Sequence, residues 1–246
     1  MPTPPPRLRL LTFDLDGTLA NTERLKAESY AWAAHRLMPA LDPADVEGAY
    51  PAYVGRSREE IARALTEQFG LADVARARDG SVEPWESYVA LRLERYRAML
   101  DDGDLVRRHV RDEAVALARR SHEVAERTAL VTTSDRHNAG AVLRALGLEG
   151  AFDTVVTADD VARTKPDPEG YCLALSRLGV DARDAVGIED SAAGIRGALA
   201  AGITVVAVPT DFTHDAIREM VASGELDAAA VAEPGGLAAA VRRRAR

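Results

Sequence analysis

Cysteine is almost absent. The 246-residue chain has one, Cys172, so no internal disulfide can form and a reducing compartment is expected. It sits inside an apolar helical pattern and is expected to be a buried, inert thiol. Lysine is nearly as scarce: of 31 basic residues only Lys26 and Lys165 are lysines. A lysine that survives such a bias towards arginine is a candidate for work a guanidinium cannot do. There is no run of about 18 apolar residues and no signal-peptide core, which leaves the cytoplasm as the expected address and no membrane partner. Net positive charge is lacking as well. A net charge of -8 and a pI near 5.2 offer no basic face for nucleic acid. The arginines of the tail, Arg242, Arg243, Arg244 and Arg246, read as a solvated end, and Pro2, Pro4, Pro5 and Pro6 as an extended leader.

Strand signals are missing from a long stretch, between Ala20 and Asp104. Helical patterns fill it instead: Thr22 to Leu37, Arg58 to Phe69, and Trp85 to Leu100 with Trp85, Val89, Leu93 and Tyr96 on one face. Outside that stretch the texture alternates. Leu8 to Phe13, Ala129 to Thr133, Thr154 to Thr157, Ala185 to Glu189 and Thr204 to Val208 read as strands, with Ala228 to Val231 as a short last one. Helices separate them: Ala139 to Leu146 stopped by Gly147, Pro168 to Leu178 capped by Asp167, and Ala192 to Ala201. Strands alternating with helices mean right-handed crossovers and a parallel sheet. The expected fold is a doubly wound α/β core, residues 1–19 and 104–246, interrupted after its first strand by an all-helical cap, residues 20–103.

Such cores bind ligands beyond the carboxyl ends of their strands, and polar residues crowd those ends here. Asp14 and Asp16 follow the first strand, Thr132 and Thr133 another, Glu189 and Asp190 a third. Four carboxyl groups in a small space repel one another, and a hard divalent cation relieves that repulsion; carboxylates with water and phosphate oxygens suit Mg²⁺. A calcium loop is excluded, because its sixth and twelfth positions hold Leu19 and Leu25 and a strand precedes it. The Thr132 hydroxyl and the backbone N–H groups after it can meet a phosphate, and Ser134 and Asp135 are expected to cap the next helix. Lys165, in "RTKPDPEGY", is held extended by the following proline, where its ammonium can balance the acids and a transferring phosphoryl group.

"FDLDGTL", the Thr132 strand end, Lys165 before Pro-Asp-Pro and "GIEDSAAG" together resemble the four motifs of the haloacid dehalogenase-like (HAD) phosphotransferases. The similarity spans roughly Leu8 to Pro209 and is greatest to the β-phosphoglucomutase and phosphoglycolate phosphatase-like branch. The resemblance implies Asp14 as nucleophile, Asp16 as general acid and base, and Thr132 and Lys165 as grips on the phosphoryl oxygens. It implies Mg²⁺ held by Asp14, the backbone carbonyl of Asp16 and Asp190, with Glu189 nearby. The second aspartate also separates phosphate transfer from dehalogenation, since a halide leaves without a proton. In the cap, "YVGRSREEI" looks like the specificity loop of mutase-type relatives. Gly55 and Arg58 are then candidate substrate contacts with Thr133, and Lys26 stands where those mutases commonly carry histidine. The expected activity is Mg-dependent hydrolysis of a small phosphorylated metabolite by a monomer or weak homodimer. A phosphosugar mutase and a non-catalytic phosphate-binding protein are the alternatives.

Overall fold

In the computed structural model, residues 8–54 and 56–244 are described. The proline leader, Gly55 and Arg246 lie outside the described residues. Strand β1 (Leu8–Phe13) leads into five helices, α1 (Thr22–Leu37), α2 (Pro43–Ala49), α3 (Arg58–Gln68), α4 (Ala72–Arg78) and α5 (Pro84–Asp101). Then come α6 (Gly103–Arg108), α7 (Asp112–Arg119), β2 (Ala125–Val131), α8 (Arg136–Leu146), β3 (Thr154–Val156), α9 (Glu169–Leu178), β4 (Ala185–Glu189) and α10 (Ala192–Ala200). Strand β5 (Thr204–Ala207), α11 (His214–Ala222) and α12 (Leu237–Arg244) complete the order.

The five strands form one parallel sheet in the order β3-β2-β1-β4-β5. This is the doubly wound core expected from the alternation of strands and helices. β1 lies at its centre, and five of its six residues are buried, because helices cover both faces of a parallel sheet. Leu11 and Phe13 join one apolar cluster with α7, α8 and α12, whereas Leu10 joins another with α9, α10 and α11. Truncating any of these to alanine would cost about 2–5 kcal/mol. α1 to α5 build a third cluster of their own around Tyr30, Tyr50, Leu65 and Tyr88. Tyr96, Met99 and Leu100 at the end of α5 pack instead into the main core.

Local signals set the element ends. Ser57 caps α3 in a reciprocal box with Glu60. Gly147 ends α8 with φ near 62°, in the left-handed region that glycine enters without strain. Several expectations need correcting: β2 runs Ala125–Val131 and not Ala129 to Thr133, and α8 starts at Arg136 and not at Ala139. Val231 makes only an isolated bridge to Ala207, because Asp227 accepts a hydrogen bond from the Ala229 amide and winds residues 228–230 into a 3₁₀ turn. α9 starts one residue late, at Glu169, although Asp167 Oδ1 still accepts from the Glu169 amide at 3.0 Å. Cys172 is exposed, being off the stripe of Tyr171, Ala174 and Leu175 that α9 buries. Arg244 of the basic tail is tied to Asp227 at 3.0 Å. No described helix is long and apolar enough to cross a membrane.

Candidate active site

β1, β2 and β4 end side by side, and the residues just beyond their carboxyl ends form one wall of a cavity of about 400 Å³ whose other wall comes from α1, α3 and α5. Asp14, Glu189 and Asp190 converge there. All three are buried, and one carboxylate oxygen from each lies within 4.8 Å of the others. Gly17 makes this possible: with φ near 88°, it passes so close to Asp190 that a Cβ would stand 2.0 Å from Oδ2. Gly194 gives Glu189 the same room, a Cβ there falling 1.9 Å from Oε2.

Lys165 reaches into the cluster from the loop before α9. Its Nζ donates to Asp14 Oδ1 at 2.7 Å, Glu189 Oε1 at 2.5 Å and the Val131 carbonyl at 2.7 Å. The Tyr171 hydroxyl donates to the same Glu189 oxygen. One ammonium does not neutralise three acids. Burial first, and the neighbouring charges of Glu189 and Asp16 after it, push the Asp14 carboxyl up to about 7 despite Lys165. Burial and the charges of Asp14 and Glu189 raise Asp190 well above the usual carboxylate range. Asp190 Oδ2 and Glu189 Oε2 are buried without a hydrogen-bond partner. Unpartnered carboxylate oxygens of this kind are the donor set of a hard divalent cation, and the three acids fit one.

Asp16 shares the strand end but not the cluster. Its carboxylate turns towards α1, accepting from the hydroxyls of Thr22 and of Ser134 (2.6 Å) and pairing with Lys26 at 3.3 Å. Burial opposes its charge, yet Lys26, Ser134 and Thr22 outweigh burial and hold its carboxyl below the usual range. Lys26 also donates to Glu23 at 2.7 Å, and Glu23 accepts from Tyr50. The other candidates differ in reach. Thr133 faces the cavity, while Thr132 is buried behind it with its hydroxyl accepting from the Ser134 amide at 3.0 Å. Asp135 alone caps α8. Arg58 opens α3 on the opposite wall and spans to Asp135 at 3.3 Å.

Sequence reasoning missed Glu23, Ser134, Tyr171 and Arg92. Arg92 is the most telling, because the buried face of α5 runs through Tyr88, Arg92, Tyr96 and Met99, while Trp85 and Leu93 are only half-buried. The spacing of four residues from Arg92 to Tyr88 and to Tyr96 is visible in the sequence, but which face of α5 is buried is not, and the face through Trp85 and Leu93 competes with it.

A model of haloacid dehalogenase-like hydrolases matches residues 8–202. The validoxylamine A 7'-phosphate phosphatase of Streptomyces hygroscopicus subsp. limoneus is 34% identical over 209 residues, covering 85% of this chain and 88% of its own. The phosphorylated carbohydrates phosphatase of Thermotoga maritima is 31% identical over 197 residues, covering 80% and 82%. Among solved structures, CbbY from Rhodobacter sphaeroides in complex with phosphate superposes with a TM-score of 0.59 at 27% identity, over 84% of this chain and 88% of that one. Strand order, cavity and these similarities agree, and the chain belongs to the haloacid dehalogenase-like hydrolases.

Proposed function

We propose that the protein is a magnesium-dependent phosphatase of small phosphorylated metabolites that works through a phosphorylated Asp14, with residues 20–103 serving as the cap. The observation that carries this reading is the Lys165-bridged cluster of Asp14, Glu189 and Asp190 at the strand ends, of which Asp14, Asp190 and Lys165 line the cavity while Glu189 is buried behind them. Asp14 and Asp190, with Glu189 beside them and the Asp16 backbone carbonyl, would hold Mg²⁺, which supplies charge neutralisation for the phosphoryl oxygens. The Asp14 carboxylate attacks phosphorus, forming a P–O bond to its own oxygen while the bond to the leaving alkoxide breaks. Asp16 delivers a proton to that alkoxide. It then takes one from the water that attacks the same phosphorus, releasing inorganic phosphate and free Asp14. Its acid half-cycle requires it to part from Lys26, whose charge favours the ionised carboxyl.

Lys165 holds Asp14 in place and faces the transferring group, and Thr132 fixes the turn whose N–H groups, with Thr133, line the phosphoryl site. Arg58 and Lys26 contact the rest of the substrate from the cap side, and closure of the cap excludes water from the reacting group. The relatives named as phosphatases support hydrolysis. The test is release of inorganic phosphate from p-nitrophenyl phosphate and a panel of sugar phosphates, with and without Mg²⁺. Isomerisation of a hexose phosphate without phosphate release would replace this reading with a mutase.

A further inference from the structure

We infer that Arg92 anchors a second oxyanion on the substrate, remote from the scissile phosphoryl group, so that the natural substrate is a phosphomonoester carrying a carboxylate or another phosphate. This rests on the phosphatase reading.

Most cations around the cavity have partners. Lys165 is matched by Asp14 and Glu189, Lys26 by Asp16 and Glu23, and Arg58 by Asp135. Arg56 is exposed, and water solvates it. Arg92 differs from all of them. It lines the same cavity and is 4% exposed, it pairs with no carboxylate among the described residues, and its Nε is buried with no acceptor. Its Cζ stacks 4.7 Å from the Tyr30 ring centroid and 4.3 Å from that of Tyr96. Two rings recover part of the desolvation cost but offer the N–H donors nothing to bond. A buried guanidinium without an anion is costly, and a leucine between two tyrosines would pack more favourably. The cost is recovered when an oxyanion enters the cavity, where a guanidinium fork binds carboxylate or phosphate oxygens in pairs. The Tyr96 hydroxyl, four residues along the same helix face, is a second buried polar group without a partner in this wall. Two groups with unpartnered polar atoms, the Arg92 guanidinium and the Tyr96 hydroxyl, therefore stand together where α5 lines the cavity.

Matched substrate pairs test it: 6-phosphogluconate against glucose 6-phosphate for a carboxylate, fructose 1,6-bisphosphate against fructose 1-phosphate for a phosphate. The wild type is expected to prefer one or both doubly charged members by roughly tenfold or more in kcat/KM, and the favoured arm names the oxyanion. R92Q should erase that preference through KM, with a much smaller loss on p-nitrophenyl phosphate, and R92K should restore part of it. Y96F, which removes only a hydroxyl, should weaken it in the same direction. No preference in the wild type, or an equal loss on every substrate in R92Q, would overturn the inference while leaving the phosphatase standing. No Mg²⁺-dependent hydrolysis of p-nitrophenyl phosphate by the wild type would overturn the phosphatase reading instead. Because the wild-type comparison needs no variant, a misfolded R92Q does not shield the idea.

Discussion

Lys165 and Asp14 are 151 residues apart in sequence and 2.7 Å apart in space, joined by an ammonium that Glu189 also shares. Burial works to strip Lys165 of its proton, but the charges of Asp14 and Glu189 raise its pKa well above the ordinary value and keep it charged. Removing it leaves three buried acids facing one another. Lys165→Met should lower kcat by at least a hundredfold and lower the melting temperature in EDTA, with Mg²⁺ recovering part of the stability. Lys165→Arg should not rescue turnover, since the guanidinium is larger and planar and cannot donate to these three oxygens from one point. Wild-type rates in the arginine variant would show that only positive charge is needed there.

Asp14→Asn keeps the shape of the side chain and removes the proposed nucleophile. Turnover should fall more than about a thousandfold, as for lost nucleophiles generally. The variant should remain folded, and its stability in EDTA should rise because one carboxyl of the crowded trio is gone. A residual rate of a tenth of wild type on p-nitrophenyl phosphate would remove Asp14 from its proposed role.

Gly17 and Gly194 are predicted to be as intolerant as the acids they shelter. A Cβ at Gly17 collides with Asp190, and one at Gly194 with Glu189. Each alanine variant should weaken Mg²⁺ binding, read as a smaller Mg²⁺-induced rise in melting temperature; saturation at 100 Kd is worth about 2.7 kcal/mol in the wild type. Ca²⁺ should raise the melting temperature too but support little turnover, because its coordination is looser than the octahedron Mg²⁺ demands. Full activity in excess EDTA would contradict the whole metal assignment.

The strand ends were legible because β1, β2 and β4 each close on chemistry-bearing residues, and a parallel sheet brings such ends together whatever the loops do. Charge orientation was not legible. Nothing in "FDLDGTL" says that Asp14 faces Lys165 while Asp16 turns to Thr22, Ser134 and Lys26, since that divergence depends on α1 packing over the strand end. Cys172 and Arg92 show the same limit from opposite sides. Cys172 sits in the apolar stretch of α9 yet falls off its buried stripe, whereas Arg92 sits in the charge-rich α5 yet falls on its buried one.

Asp160 ties the loop after β3 to two helices. It accepts from the Thr157 amide at 2.9 Å and pairs with Arg136 at 2.5 Å and Arg177 at 3.0 Å. Burial opposes its charge, but the Thr157 amide, Arg177 and the Thr157 hydroxyl prevail and hold its carboxyl down at about 2. A depressed folded pKa contributes stability above the unfolded value, and that stability is lost as pH falls through the folded one. Asp160→Asn should therefore cost about 1–2 kcal/mol at neutral pH. The gap to wild type should close between about pH 4 and pH 2, followed by denaturant melts. A pH-independent gap would assign the loss to packing.

Arg58 and Asp135 join the two walls of the cavity across its mouth, and their 3.3 Å contact is half open to water, with Arg58 42% exposed. A pair so placed contributes no more than about 1 kcal/mol to stability. Asp135 has another duty, capping α8 by accepting from the Asn138 amide at 2.9 Å. Asp135→Ala should therefore destabilise more than Arg58→Ala, by roughly the 1 kcal/mol of a lost cap. Activity should show the reverse order if Arg58 leaves Asp135 for the substrate when the cap closes. Arg58→Ala is then expected to cut kcat/KM for a sugar phosphate by roughly tenfold to a thousandfold, the loss of one charge-assisted contact plus some closure cost. p-Nitrophenyl phosphate, with no remote group to grip, should lose far less. Asp135→Asn keeps the cap acceptor but frees the guanidinium, and should lower KM for the sugar phosphate. Equal losses on both substrates in Arg58→Ala, with no change in KM for Asp135→Asn, would confine Arg58 to closing the cavity mouth.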